Sequence, residues 1–141
     1  MANNEDDLIQ LFTMVAMGLT KQVVDFNYQG MKIGRLIFII NYIGYKKECS
    51  MKDVIDYLNI KPSTATRQVD KLVDKLKLVE RKESISDRRL VILQLTKLGN
   101  DIYLYHKKIS EIPASAINER FSNEEKQILK KGLEELLKAF S

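Results

Sequence analysis

This chain of 141 residues has one cysteine, one histidine and two prolines. Cys49 alone excludes an internal disulfide and a metal site built from several thiolates. Its thiol stands near Lys46 and Lys47, which could lower its pKa and suit a redox sensor; a buried or incidental thiol is the plainer reading. His106 has no second histidine nearby and no cysteine or carboxylate at ligand spacing, so no metal is expected. No apolar run approaches the roughly 18–20 residues that span a bilayer. The start, Met1-Ala2-Asn3-Asn4-Glu5-Asp6-Asp7, is acidic, with no basic region ahead of an apolar one. No signal peptide and no membrane partner are therefore expected, and the protein is assigned to the cytoplasm. Paired carboxylates, a nucleophile–base set and a glycine-rich phosphate loop are also missing, which argues against an enzyme and implies no cofactor.

What is present is an apolar fraction of 45%, enough for one core, and a charged fraction of 30%. The net charge of +4 is unevenly placed. Nine basic residues lie between Lys61 and Arg89: Lys61, Arg67, Lys71, Lys75, Lys77, Arg81, Lys82, Arg88 and Arg89. The same segment holds five acidic ones, Asp70, Asp74, Glu80, Glu83 and Asp87, so the remainder of the chain is neutral. Such a local excess suits a surface that faces phosphates. A solvated helix face with i,i+4 ion pairs, drawn from Asp70, Asp74, Lys71 and Lys75, is the bland alternative.

Asn3 or Asn4 can cap a first helix with Glu5, Asp6 and Asp7 in its opening turn. Leu8, Leu11, Phe12, Val15, Leu19 and Val23 recur at helical spacing, predicting a helix to about Tyr28 that ends near Gly30. Its apolar stripe is wider than one small core needs, so part of it is expected to face a partner chain. Ile33, Leu36, Ile37, Ile40 and Ile43 continue at helical spacing and predict a second, deeply buried helix ending near Gly44. Ser50 opens a short helix through Leu58, and Pro62 suits the first position of the next, which runs to Leu76. Val69, Leu72, Val73 and Leu76 form its inner stripe, with Thr64, Arg67, Gln68 and Lys71 on the opposite side. Two short helices joined by a tight turn, the second polar and basic outward, have helix-turn-helix geometry.

Two β-prone runs then flank a charged tip, Glu83-Ser84-Ile85-Ser86-Asp87-Arg88-Arg89, which predicts a hairpin. Thr96 can cap a helix carrying Leu98, Ile102, Leu104, Tyr105 and Ile109, broken or kinked by Pro113 near Ile112. Ser122-Asn123-Glu124-Glu125 has capping-box form and starts a final helix with the stripe Ile128, Leu129, Leu133, Leu136, Leu137 and Phe140. The fold expected is mainly α with a small β-hairpin (α+β).

If the helix from Pro62 enters a major groove, its N-terminal part reaches base edges. Ser63, Thr64 and Thr66 can bond bases or phosphates. Arg67 and Gln68 have the geometry for bidentate contacts to guanine and adenine. Lys71 and Lys82 suit phosphate. Arg88 and Arg89 at the hairpin tip suit a narrow minor groove, where negative potential is concentrated. Asp87 would repel phosphate there, so its expected task is to pair with a neighbouring arginine and aim the tip.

Asp87-x-Arg89, followed after five residues by Leu95-Thr96-x-x-Gly99, resembles the wing signature of the MarR family of bacterial and archaeal transcriptional regulators. Ser63-Thr64-Ala65-Thr66-Arg67-Gln68-Val69-Asp70-Lys71-Leu72 is similar to that family's recognition helix. The resemblance covers the whole chain and implies a winged helix-turn-helix over residues 31–99, with dimerisation helices in residues 1–30 and 100–141. It implies a homodimer on a pseudo-palindromic operator of double-stranded DNA, one recognition helix in each major groove and one wing in each flanking minor groove, acting as a repressor. Many members release DNA when a small aromatic or phenolic effector binds between the dimer helices and the DNA-binding lobe. That region would here involve the first two helices and the one after Thr96. The chain departs from the pattern in three places. Leu76-Lys77 stands where a glycine usually ends the recognition helix, with one residue more before Leu78-Val79, and a non-glycine left-handed cap costs about 1 kcal/mol. Pro113 interrupts a helix that is often continuous. Cys49 does not match the N-terminal cysteine of the peroxide-sensing members. The rival reading is a winged helix that binds protein without specific DNA binding.

Overall fold

The computed structural model describes residues 4–20, 23–110 and 114–139. The chain's contacts divide it into two units, residues 1–38 and residues 39–141.

In the first unit, helix α1 (Asn4–Thr20) carries Glu5, Asp6 and Asp7 in its first turn, where the helix dipole favours negative charge. Leu8, Leu11, Phe12, Val15 and Leu19 form the expected stripe, and all are exposed in the single chain. The helix ends at Thr20, short of the expected Tyr28. Residues 23–25 form a turn, and after it β1 (Asn27–Tyr28) pairs with β2 (Met31–Lys32) in a hairpin with a two-residue loop. Gln29 and Gly30 take φ of +49° and +85°, successive left-handed residues that match the twist of flanking strands and exclude a continuing helix. Asn27 Oδ1 fastens the turn by accepting the Gly30 N–H at 2.9 Å. Val23 is buried beyond the helix rather than on its stripe. Asn3 lies outside the described residues.

Helix α2 (Ile37–Lys46) leads into the second unit, and its β-branched residues do form a helix: Ile39, Ile40 and Ile43 are at most 1% exposed. Then follow β3 (Cys49–Ser50), α3 (Met51–Leu58), α4 (Pro62–Asp70), β4 (Val79–Glu83), β5 (Val91–Leu95), α5 (Lys97–Ser110), α6 (Ala114–Arg120) and α7 (Asn123–Ala139). Gly44 does not end α2. A β-carbon there would meet the Tyr103 ring at 2.6 Å, so this glycine lets α2 and α5 approach closely.

The expected hairpin is present, and β3 adds a third strand. The antiparallel order is β3-β5-β4, with Cys49 opposite Leu93 and Val79 opposite Leu95. Val54, Val69, Leu72, Leu78, Val79, Leu93 and Ile102 are sealed beneath the helices and sheet. Each fully buried aliphatic side chain of this kind contributes about 1.5–3 kcal/mol. Ser122 and Glu125 complete the capping box that starts α7, the hydroxyl accepting the Glu125 N–H at 3.1 Å while the carboxylate accepts the Ser122 N–H at 3.0 Å. These bonds hold the Glu125 carboxyl below its ordinary range. Ile128, Leu129, Leu133 and Leu136 stand exposed along α7. Phe140, and Ile112 with Pro113, lie outside the described residues.

Candidate nucleic-acid interface

The helix-turn-helix is set by local chemistry. Ser50 is extended, its hydroxyl accepts the Asp53 N–H at 3.1 Å, and the Asp53 carboxylate accepts the Ser50 N–H at 2.9 Å. Asn59 closes α3 in the left-handed region, at φ +52°. Pro62 fills the first turn of α4, where its missing N–H costs no helical bond. Ala65, Val69 and, just past α4, Leu72 face inward, while Ser63, Thr66, Arg67 and Lys71 are exposed and Thr64 and Gln68 half-buried. The six residues proposed from sequence on this helix therefore share its open side.

The regular helix ends at Asp70 and continues through Lys71–Lys75 as a wider turn. Leu76 N–H donates to Lys71 C=O at 2.9 Å, and Leu78 N–H donates to Leu72 C=O at 2.8 Å. Both bonds reach further back along the chain than the i→i−4 closure of an α-helix. This absorbs the extra residue in the sequence, and Lys77 takes the left-handed cap at φ +57° that a glycine would otherwise supply.

Thr96 joins this turn to the next helix. Its hydroxyl donates to Lys77 C=O at 2.7 Å and accepts the Gly99 N–H at 3.1 Å, while its own N–H donates to Leu78 C=O at 3.0 Å. Thr96 thus caps α5 as expected and also pins the strand that leaves the recognition helix.

The wing tip is shaped by short polar bonds. Ser84 N–H donates to Leu90 C=O at 3.1 Å, and Ser84 Oγ lies 3.0 Å from Ser86 Oγ and accepts the Asp87 N–H at 3.3 Å. Asp87 Oδ1 accepts the Arg89 N–H at 3.0 Å and stands 3.9 Å from Arg89 Nε. The Arg89 side chain is 95% exposed, and Arg88 beside it is also exposed. Lys82 Nζ lies 3.4 Å from Glu80 Oε1, so this lysine carries an acidic neighbour on its own strand.

Asp70 pairs with Arg81 across to β4. Among the described residues the i,i+4 pairs considered for Asp70, Asp74, Lys71 and Lys75 are absent. Arg81 is one of the nine basic residues of the 61–89 segment, and its partner on α4 is not evident from charge alone. The available signal is strand alternation, which puts Arg81 on the same face as the buried Val79 and turns it toward α4.

The second unit also holds a cavity of about 670 Å³ between α2, α3, α6 and α7. Its walls include Tyr42 and Tyr57, stacked at 4.4 Å between ring centres, with Leu129, Leu133 and Lys130 opposite. Burial raises both tyrosine pKa values, with the Asp53 carboxylate adding to the shift at Tyr42. Asn41, also on the wall, has its amide nitrogen 3.1 Å from His106 Nδ1, and its oxygen is buried without a hydrogen-bond partner. Burial lowers the His106 pKa. Cys49 is buried and its thiol is pushed up to about 12, first by burial and then by Asp53, which removes the activated-thiol reading. Among the described residues no cluster of metal-ligating side chains occurs, and no helix is long and apolar enough to cross a membrane.

A family model described as the MarR family matches residues 37–90. The HTH-type transcriptional regulator BilQ of Clostridium symbiosum (strain WAL-14163) is 33% identical over 75 residues. That match takes in 53% of this chain and 51% of BilQ, so the chain spans about half the length of this curated relative. FabT of Streptococcus pneumoniae, solved in complex with DNA, superposes with a TM-score of 0.68 at 25% identity, covering 96% of each chain. NadR, solved with 4-hydroxyphenylacetate, shares the fold with a TM-score of 0.70 at 24% identity, over 98% of this chain and 94% of NadR.

Proposed function

We propose that the chain is a member of the MarR family, whose model matches residues 37–90, and that it is a transcriptional repressor binding a pseudo-palindromic operator as a homodimer. The observation that carries the reading is the common exposure of two basic elements. Arg67 and Lys71 stand on the open side of α4 and its continuation, and Arg89 leaves the wing beside a carboxylate that holds its backbone. Ser63, Thr64, Thr66, Arg67 and Gln68 would read or approach base edges, and Lys71 and Lys82 would meet phosphates. Arg88 and Arg89 would enter the flanking minor groove, aimed by Asp87.

The homodimer is supported by apolar surface that neither unit covers by itself. On α1, Leu8, Ile9, Leu11, Phe12, Met14, Val15 and Met17 are 45–69% exposed, and on α7, Ile128, Leu129, Leu133 and Leu136 are 44–72% exposed. Contiguous stripes of this size mark association surfaces. The dimer lobe in this reading comprises α1 and α5 to α7, and the DNA lobe residues 31–99. The cavity lined by Tyr42 and Tyr57 suits a small aromatic or phenolic effector, which would shift the spacing of the two DNA lobes by binding one conformation better than the other.

Selection of bound sequences from a random DNA pool, followed by anisotropy titration over a range of salt, tests the function. Half-sites about one helical turn apart and a steep salt dependence are expected. Arg89→Ala should weaken binding and lower the salt slope while the dimer persists. A winged helix serving only as a protein-binding module would select no sequence, and unchanged affinity of the variant would remove the wing from the interface.

A further inference from the structure

We propose that Arg81 is a positioning residue for base readout: it captures the carboxylate of Asp70 and so keeps Arg67 free to reach DNA. The inference rests on the DNA-binding reading above and assigns a task to a residue outside the interface.

Arg67 and Asp70 are three residues apart on α4, the spacing at which opposite charges on one helix meet. Left alone, Asp70 would draw the guanidinium of Arg67 along the helix surface, away from a groove. It would also place a negative charge next to Lys71, on the side proposed to face phosphates. In the structure the Asp70 carboxylate is instead taken by Arg81. Among the described residues Arg67 forms no ion pair. Arg81 is held for this contact by its place in the sheet: it lies at the middle of β4, in register with Leu93 of β5, on the face shared with the buried Val79.

The pair is 34% and 47% exposed on its two sides, so it adds little to folding stability. Its consequence is electrostatic and directional. It neutralises the one acidic residue between Arg67 and Lys71, and it braces the end of the recognition helix against the base of the wing. A guanidinium suits this task better than an ammonium because its planar fork fixes the carboxylate's orientation.

The test uses the full chain as native protein, Arg81→Ala, Asp70→Asn and the double variant, against a duplex selected by the native protein. Arg81→Ala should bind about tenfold more weakly and lose preference at the base pair read by Arg67, with its thermal midpoint little changed. Asp70→Asn should bind at least as tightly as native. The double variant should return to within about threefold of native affinity, because no carboxylate remains to divert Arg67. Native-like binding by Arg81→Ala overturns the proposal. So does a double variant no tighter than Arg81→Ala, which would make Arg81 a direct DNA contact. If the native protein selects no sequence, the DNA-binding reading falls and takes this one with it.

Discussion

The carbonyl oxygen of Leu78 occupies the space that a side chain on residue 99 would need: a β-carbon built on Gly99 meets it at 2.0 Å. The strand leaving the recognition helix and the first turn of α5 therefore meet backbone to backbone at this point. Thr96 holds the two together by bonding to both Lys77 and Leu78. The threonine and glycine of the Leu95-Thr96-x-x-Gly99 pattern thus serve one junction, one as a clamp and one as a clearance.

Gly99→Ala should destabilise the protein by about 3 kcal/mol or more, since relief requires moving main chain rather than a flexible side chain. Gly132→Ala is the control. Gly132 lies within α7 with nothing near its missing β-carbon, so alanine there should stabilise by about 0.5–1 kcal/mol. Urea denaturation of both variants checks the pair, and equal effects would disprove the junction's role.

Lys77→Gly should stabilise by about 1 kcal/mol, because lysine bears a left-handed backbone at φ +57° that glycine adopts without a β-carbon penalty. The Lys77 carbonyl that accepts from Thr96 is retained in glycine. A shift of the urea midpoint to higher concentration is the expected reading.

His106 titrates below its ordinary value of 6.5 because burial disfavours the charged ring. Its contribution to stability is complete above the unfolded value and is lost as the pH falls from there toward the folded one, since the unfolded chain takes up the proton first. Thermal midpoints measured at about pH 7.5 and about pH 5.5 should fall with acid, and His106→Gln should shrink that fall. An undiminished fall would assign the acid sensitivity to other groups.

Ending the chain after Arg120 removes α7 and its exposed leucines, and the shortened protein should sediment as a monomer and bind the operator weakly. A dimer of unchanged stability would place the association surface on α1 alone.

The features legible in the sequence are those decided within a few residues. Ser50, Pro62, Thr96 and Ser122 start helices through bonds or constraints inside one turn, so their spacing suffices. The helical character of α2 was legible from the period of its isoleucines. The hairpin of β1 and β2 was not, because Gln29 carries no composition signal for a left-handed turn. The strand Cys49–Ser50 is too short to show alternation and exists only because Leu93 and Ile92 lie opposite. At the interface, exposed polar positions on one helix face follow from the helical period. The pairing of Asp70 with Arg81 joins two elements, and the charge count alone gave each a solvent-facing place.

The placing of β3 has a consequence during synthesis. The ribosome delivers the N-terminal part of a chain first. Cys49 and Ser50 emerge before the recognition helix, yet they pair with Leu93 and Ile92, which emerge after the wing tip. The helix-turn-helix is thus threaded out of the exit tunnel with its bracing sheet unfinished. A chain interrupted before Val91 lacks the strand that pairs with both β3 and β4, so neither the wing nor the sheet that joins it to α3 can form.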